Sequence, residues 1–219
     1  MYLDAVEDLQ EVEILEEAGR VSCTERWRNF PYSALSHHGE ACCEIARQWV
    51  LAMDFAQLNG GDLTSGPRWL RERYKWGPTE WPIHWCDAVE RDTLDCGAHA
   101  ALAHEAFAAR GVTSFPAQFI QQYSPEAVDQ WRLKWGEEKV SDHWIGEDFI
   151  YHEGVALLMG EDEVKLWDAS AGWWINVRGD KGYGSLMAVR IFAKGHFGGG
   201  DGLRWGEHRI KPGEWHEFR

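Results

Sequence analysis

Residues 92–112, "DTLDCGAHAALAHEAFAARGV", decide how the rest of the chain is read. Their Ala, Leu, His, Glu and Phe content favours a helix from Cys96 or Gly97 to Arg110. Asp95 stands near the N-cap, and Gly111 offers the left-handed residue that ends the helix. A cysteine therefore lies in the first turn, where unpaired backbone N–H groups and the positive end of the macrodipole favour a thiolate. The same N–H groups can hold an oxyanion, and Gly97 permits close approach of a substrate. The competing reading is that Cys96 only packs, since free cysteine is among the most buried residue types.

Working outward, the chain before this stretch reads as helical. Residues 3–18 form an acidic helix with Leu3, Val6, Leu9 and Val12 as its stripe. A better-defined helix runs from about Glu40 to Leu58 and stops at Asn59-Gly60-Gly61. A short helix over residues 67–75 precedes prolines that force turns. After Gly111 the period changes. "SFPAQFIQQY", "DFIYHEGVALLM", "EVKLWDAS", "WWINV" and "SLMAVRIFA" are strand-like, and a polar insert over 123–144 fits a helix and a loop over a site. Helices followed by a meander of strands predict an α+β fold with a mostly antiparallel sheet. One domain is expected over 1–219: a helical part to about 111, a sheet part over 112–194, and a Gly-rich loop and tail over 195–219 that adds a hairpin.

Composition narrows the function classes. A chain of 219 residues can bury a substantial core without disulfides or metal staples. Its five cysteines, Cys23, Cys42, Cys43, Cys86 and Cys96, contain no CxxC pair, and the acidic start lacks a basic-then-apolar leader, so a reduced cytoplasmic protein is expected. No apolar run approaches the ~20 residues that span a bilayer. The net charge of −14, with no offsetting basic stripe, argues against nucleic-acid and membrane partners. Arg68, Arg71, Arg73 and Lys75 form the one local basic run, which reads as a solvated helix face or as a dock for an acidic acyl carrier. No cofactor and no metal site is expected, because His99 and His104 are five apart and do not share a helix face as ligands four apart do. Fourteen tryptophans are unusual; most suit core or rim positions, and a cluster could line a pocket for a flat or apolar substrate.

A nucleophilic thiolate needs a base in reach and an acid to orient that base. "YHEGVALLMGEDEVKLWDAS" supplies both. His152 begins an apolar strand, Gly160-Glu161-Asp162 reads as a hairpin turn, and Asp168 lies on the returning strand. Their separation, 168 − 152 = 16, lets antiparallel strands set the two side chains together. His143, in "SDHWIGEDF", is the rival base; it has an acidic and an aromatic neighbour, but no strand returns an Asp to it.

"LDCGAHAALAHEAFAARGV", then "YHEGVALL", then "VKLWDAS" resemble the transglutaminase-like branch of the papain-like cysteine enzymes, an arrangement that arylamine N-acetyltransferases share. The resemblance covers about residues 80–175. It implies a papain-like, transglutaminase-like core with the nucleophile helix packed on the sheet. It also implies Cys96 as acyl acceptor, His152 as general base and acid, and Asp168 as orienter, with Trp81 or Trp85 beside the oxyanion. Leu94 stands where the family has Gly, Glu153-Gly154 where an aromatic often follows the His, and Ala169 where Pro is usual. Two functions from different classes follow. One is thiol acyl-enzyme chemistry on a peptide or small-molecule amide or thioester, ending in transfer to water or to an amine. The other is a noncatalytic module that holds a peptide or small molecule.

Overall fold

The computed structural model describes residues 65–77, 90–136, 149–176, 184–195, 197 and 202–218. The helices expected over 3–18 and 40–58, and Cys23, Cys42, Cys43, Cys86, Trp81, Trp85 and His143, lie outside them. Thirteen elements are seen among the described residues. They are α1 (Ser65–Arg73), β1 (Lys75–Trp76), β2 (Thr93–Leu94), α2 (Cys96–Ala109), β3 (Ser114–Gln122), α3 (Pro125–Trp135), β4 (Phe149–Leu158), β5 (Val164–Asp168), β6 (Trp173–Trp174), β7 (Ser185–Ile191), β8 (Leu203–Trp205), β9 (His208–Ile210) and β10 (Trp215–Glu217). The class is α+β, with a mostly antiparallel sheet.

The six-stranded sheet has the order β10-β7-β3-β4-β5-β6. Strands β3 to β6 are the anticipated meander. β7 is not its continuation, because it returns to the far side of β3, and β10 from the tail adds the edge beyond it. The tail forms the expected hairpin, β8–β9, but two very short pairings were not foreseen: β1 and β2 pair in parallel, so Lys75 leaves the helix and enters a strand, and β10 pairs with β7. In β7 the register steps from Ala188 to Leu186 while β3 advances from Ile120 to Gln121, which makes Met187 a bulge.

α2 is apolar nearly all round, as a fully enclosed helix must be. Ala98, Ala100, Ala101, Leu102, Ala103, Ala106 and Phe107 are buried. It lies between α1 and the sheet, contacting β3 and β4. Ala103 and Phe107 pack on Val155, Leu157 and Trp167. A second apolar cluster gathers Phe119, Ala156, Val164, Leu166, Leu186, Val189 and Ile191 with Leu203, Trp205, Ile210 and Phe218 of the tail. Val155 and Leu157 thus serve one cluster and Ala156 the other, which is why "GVALL" reads as an unbroken apolar run and not as an alternation. No helix among the described residues is long and apolar enough to cross a membrane.

Candidate active site

The N-terminus of α2 is built as its sequence implies. Asp95 is extended (φ −74°, ψ 177°) and caps the helix, its carboxylate accepting the Ala98 N–H at 2.8 Å while its carbonyl accepts that of His99. The N–H groups of Cys96 and Gly97 are left unused by the helix itself. At the other end Arg110 is the C-cap, and Gly111 takes the left-handed φ of 72°.

Three separate elements bring Cys96, His152 and Asp168 together. Val155 pairs with Trp167, so the register carried one step further sets Asp168 beside Gly154, diagonal to His152. The diagonal is short enough for His152 Nε2 to lie 2.9 Å from Asp168 Oδ1. The same imidazole acts on the Cys96 thiol, pulling its pKa down by charge and hydrogen bonding. Asp168 is buried, and its Oδ1 also accepts the Ser170 hydroxyl and the N–H groups of Ser170 and Ala171, each at 3.0 Å. Ser170 Oγ sits 3.2 Å from His152 Nε2 as well. Ser170 escaped the sequence reading, although an Asp followed two residues later by Ser is a recognisable side-chain-to-backbone turn.

Burial and charge oppose each other across this group. Cys96 is 6% exposed. Burial raises its pKa most strongly, the positive field and hydrogen bond of His152 pull it down, and Glu153 and Asp95 push it up; the thiol ends above its ordinary value. The helix N-terminus alone led to the opposite expectation. Low-dielectric surroundings penalise a thiolate more than the first-turn dipole stabilises it. For His152, burial works against the charged ring, but Asp168 and Cys96 outweigh it by charge and hydrogen bonding, and its pKa is raised well above normal. Asp168 shows the converse: burial raises it, while His152, Ala171 and Ser170 together hold it low.

A polar row lies beside the thiol. Arg190 Nε donates to Gln118 Oε1 at 2.7 Å, Gln118 Nε2 donates to the Tyr151 hydroxyl at 2.7 Å, and that hydroxyl donates to Glu153 Oε1. Glu153 is thus a buried and bonded carboxyl group, and residues on both sides of His152 are pinned. Nothing in the local sequence marks this row, because its members come from three strands.

Gly97 lies in the first turn of α2, as expected. Of the basic run, Arg73 stacks over Tyr74 and faces Asp92 at 3.5 Å. Among the described residues no group of three or more His, Cys, Asp and Glu is placed to hold a metal ion. A scan against protein-family models and searches of the curated proteins and of the solved structures return no match to this chain.

Proposed function

We propose that this protein is a thiol acyl-transfer enzyme with a papain-like, transglutaminase-like core, acting on an amide or thioester through Cys96, His152 and Asp168. One observation carries the reading: the His152 imidazole lies 2.9 Å from the buried Asp168 carboxylate and is close enough to the buried, helix-first Cys96 for each to shift the pKa of the other. In the first step His152 takes the Cys96 proton and the sulfur adds to the substrate carbonyl carbon. The oxyanion that forms is met by the N–H groups of Cys96 and Gly97. The C–N or C–S bond then breaks, and the leaving amine or thiol takes the proton from His152. Water or an amine, deprotonated by His152, attacks the thioester and restores the thiol. Asp168, itself fixed by Ser170 and Ala171, holds the ring in orientation throughout and stabilises its charged form.

A raised thiol pKa fits this scheme when the proton moves on substrate binding and not before. The same burial favours the second reading, a noncatalytic binding module in which Cys96 is inert. Mass spectrometry after exposure to a panel of small acyl thioesters and activated amides separates the two. The expected result is an acyl adduct on Cys96 that turns over in the wild type, with the rate reduced at least about a hundredfold in Asp168→Asn and lost in His152→Ala. No Cys96 adduct, or adducts equally fast in all three proteins, would leave the binding module standing.

A further inference from the structure

We propose that Glu153 is a further positioning residue of the site: the row that starts at Arg190 fixes a carboxylate beside Cys96, and its charge keeps the resting nucleophile a thiol until substrate arrives. The inference rests on the acyl-transfer reading only in making Cys96 the nucleophile. The row has a direction. Arg190 can only donate, so the Gln118 amide oxygen must face it, at 2.7 Å from Nε. The Gln118 amide nitrogen is then left to donate to the Tyr151 hydroxyl, also at 2.7 Å, and the hydroxyl gives its single proton to Glu153 Oε1. Every bond points one way, from a guanidinium to a carboxyl oxygen that accepts, an arrangement that a carboxylate completes. Arg190 is itself fixed between the Phe192 and Trp215 rings, at 4.9 and 5.0 Å from their centroids. Gln118 and Glu153 are fully buried. Charge is tolerated there because it is hydrogen-bonded, and the guanidinium at one end offsets the carboxylate at the other.

Register places the row under the nucleophile helix. Gln118 pairs with Arg190 of β7 on one side and with Glu153 of β4 on the other, so the three share one face of the sheet. Strand alternation puts Tyr151, Glu153 and Val155 on that same face, and Val155 and Leu157 pack there on Ala103 and Phe107 of α2. Following α2 back from Ala103 to Cys96 covers roughly 10 Å, and following β4 back from Val155 to Tyr151 covers roughly 13 Å. The first turn of α2 therefore comes down over Glu153 and Tyr151.

Electrostatics agree with that placement. Beyond the effect of burial, Glu153 pushes the Cys96 thiol up, and Glu153 and then Cys96 push up the Tyr151 hydroxyl. The other titratable groups about the thiol are His152, which opposes Glu153, and Asp95 at the helix cap, which acts with it. Asp168 and His99 interact with the His152 ring, and Arg71 of α1 acts on His99. Of all these, Glu153 stands closest to the nucleophile without a step of its own in the acyl transfer. A thiol is a far weaker nucleophile than a thiolate, so a fixed negative charge beside it delays reaction with any stray electrophile until His152 takes the proton.

The test reads the rate of iodoacetamide labelling at Cys96 by peptide mass spectrometry, from about pH 5 to 10, in wild type, Glu153→Gln and Val155→Ala. Glu153→Gln keeps the shape and the accepting oxygen but not the charge. It is expected to lower the pH midpoint of labelling by at least about one unit, which is about tenfold faster labelling at neutral pH. Val155→Ala loosens the same face without touching a charge and is expected to leave the midpoint in place. Tyr151→Phe strips Glu153 of its donor and so favours the neutral acid. It is expected to move the midpoint the same way by less, and it carries the test should Glu153→Gln lose its fold by circular dichroism. A midpoint unmoved in the folded row variants, an equal shift in Val155→Ala, or no labelling of Cys96 in any variant overturns the proposal. So does loss of fold in both row variants, which would make the row a brace for the sheet. The acyl adduct on wild-type Cys96 is read separately, so either idea can fail while the other stands.

Discussion

At the scale of single residues, the site depends on groups whose charge is set by neighbours and not by position in the chain. His99 is the clearest case outside the catalytic group. It lies on α2, fully buried with its ring edge-on to Tyr74, and burial lowers its pKa to about 4, against a smaller opposing pull from Asp168. The unfolded chain protonates this histidine near pH 6.5, whereas the folded one resists until about 4. Stability is therefore fully present above about pH 6.5 and falls as the pH drops through that window, by about 3 kcal/mol in all. Urea melts between pH 7 and 4 should show that slope, and His99→Leu should flatten it. A slope unchanged by the substitution would assign acid sensitivity elsewhere. Asp168, held low by His152, loses its contribution only below its ordinary carboxylate range, so the two windows are separable.

At the scale of elements, what matters is how closely β4 and β5 approach beyond their last regular pair. Gly154 stands just before the start of that pairing at Val155, two residues after His152. A Cβ there would lie 2.5 Å from the Trp167 carbonyl oxygen and 2.5 Å from Phe119 Cε2, closer than side chains pack. The glycine is thus required by space. It lets β5 sit near enough for Asp168 to reach His152, while Glu153 turns to the Tyr151 hydroxyl. Gly154→Ala should cost about 1–3 kcal/mol by overpacking. It should also lower the rate of Cys96 acylation more than Ala156→Gly, a change of similar size at the next even position. Thermal melts and single-turnover rates check both, and an unaffected acylation rate in a protein of lowered stability would disconnect the strand spacing from the site.

At the scale of the whole molecule, the tail is part of the core and not an appendage. Leu203, Trp205, Ile210 and Phe218 complete the apolar cluster under β3 and β7, and β10 covers the β7 edge. Arg204 and Arg209 tie the hairpin to Asp162 and Glu163 in the β4–β5 turn, the same turn that joins the strands of His152 and Asp168. Burying four such side chains contributes about 6–10 kcal/mol, comparable to the total stability of a domain. A chain ending at Gly202 should therefore lose its cooperative thermal transition. Retention of that transition, with a midpoint within about 5 °C of the full chain, would show that the elements from α1 to β7 fold without the tail.

Local physics sufficed for much of this. The alanine-rich run, its Asp95 cap and its Gly111 stop are encoded within a few residues, and so were α2 and its boundaries. The apolar runs gave β3, β4, β5 and β7, because a strand covered on both sides announces itself by composition. The approach of Asp168 to His152 was open to reading from their spacing across one hairpin, whereas Cys96 was joined to them only through the resemblance. Tertiary structure decided what depends on residues far apart in the chain. The strand order, with β7 and β10 on the far side of β3, follows from which apolar faces must be covered together, and no short window contains that. The raised thiol pKa arises because enclosure by α1 and the sheet costs the thiolate more than its helix dipole returns. Ser170 and the Arg190–Gln118–Tyr151–Glu153 row belong to the same class, for a hydrogen bond is fixed by distance in space and leaves no period in sequence.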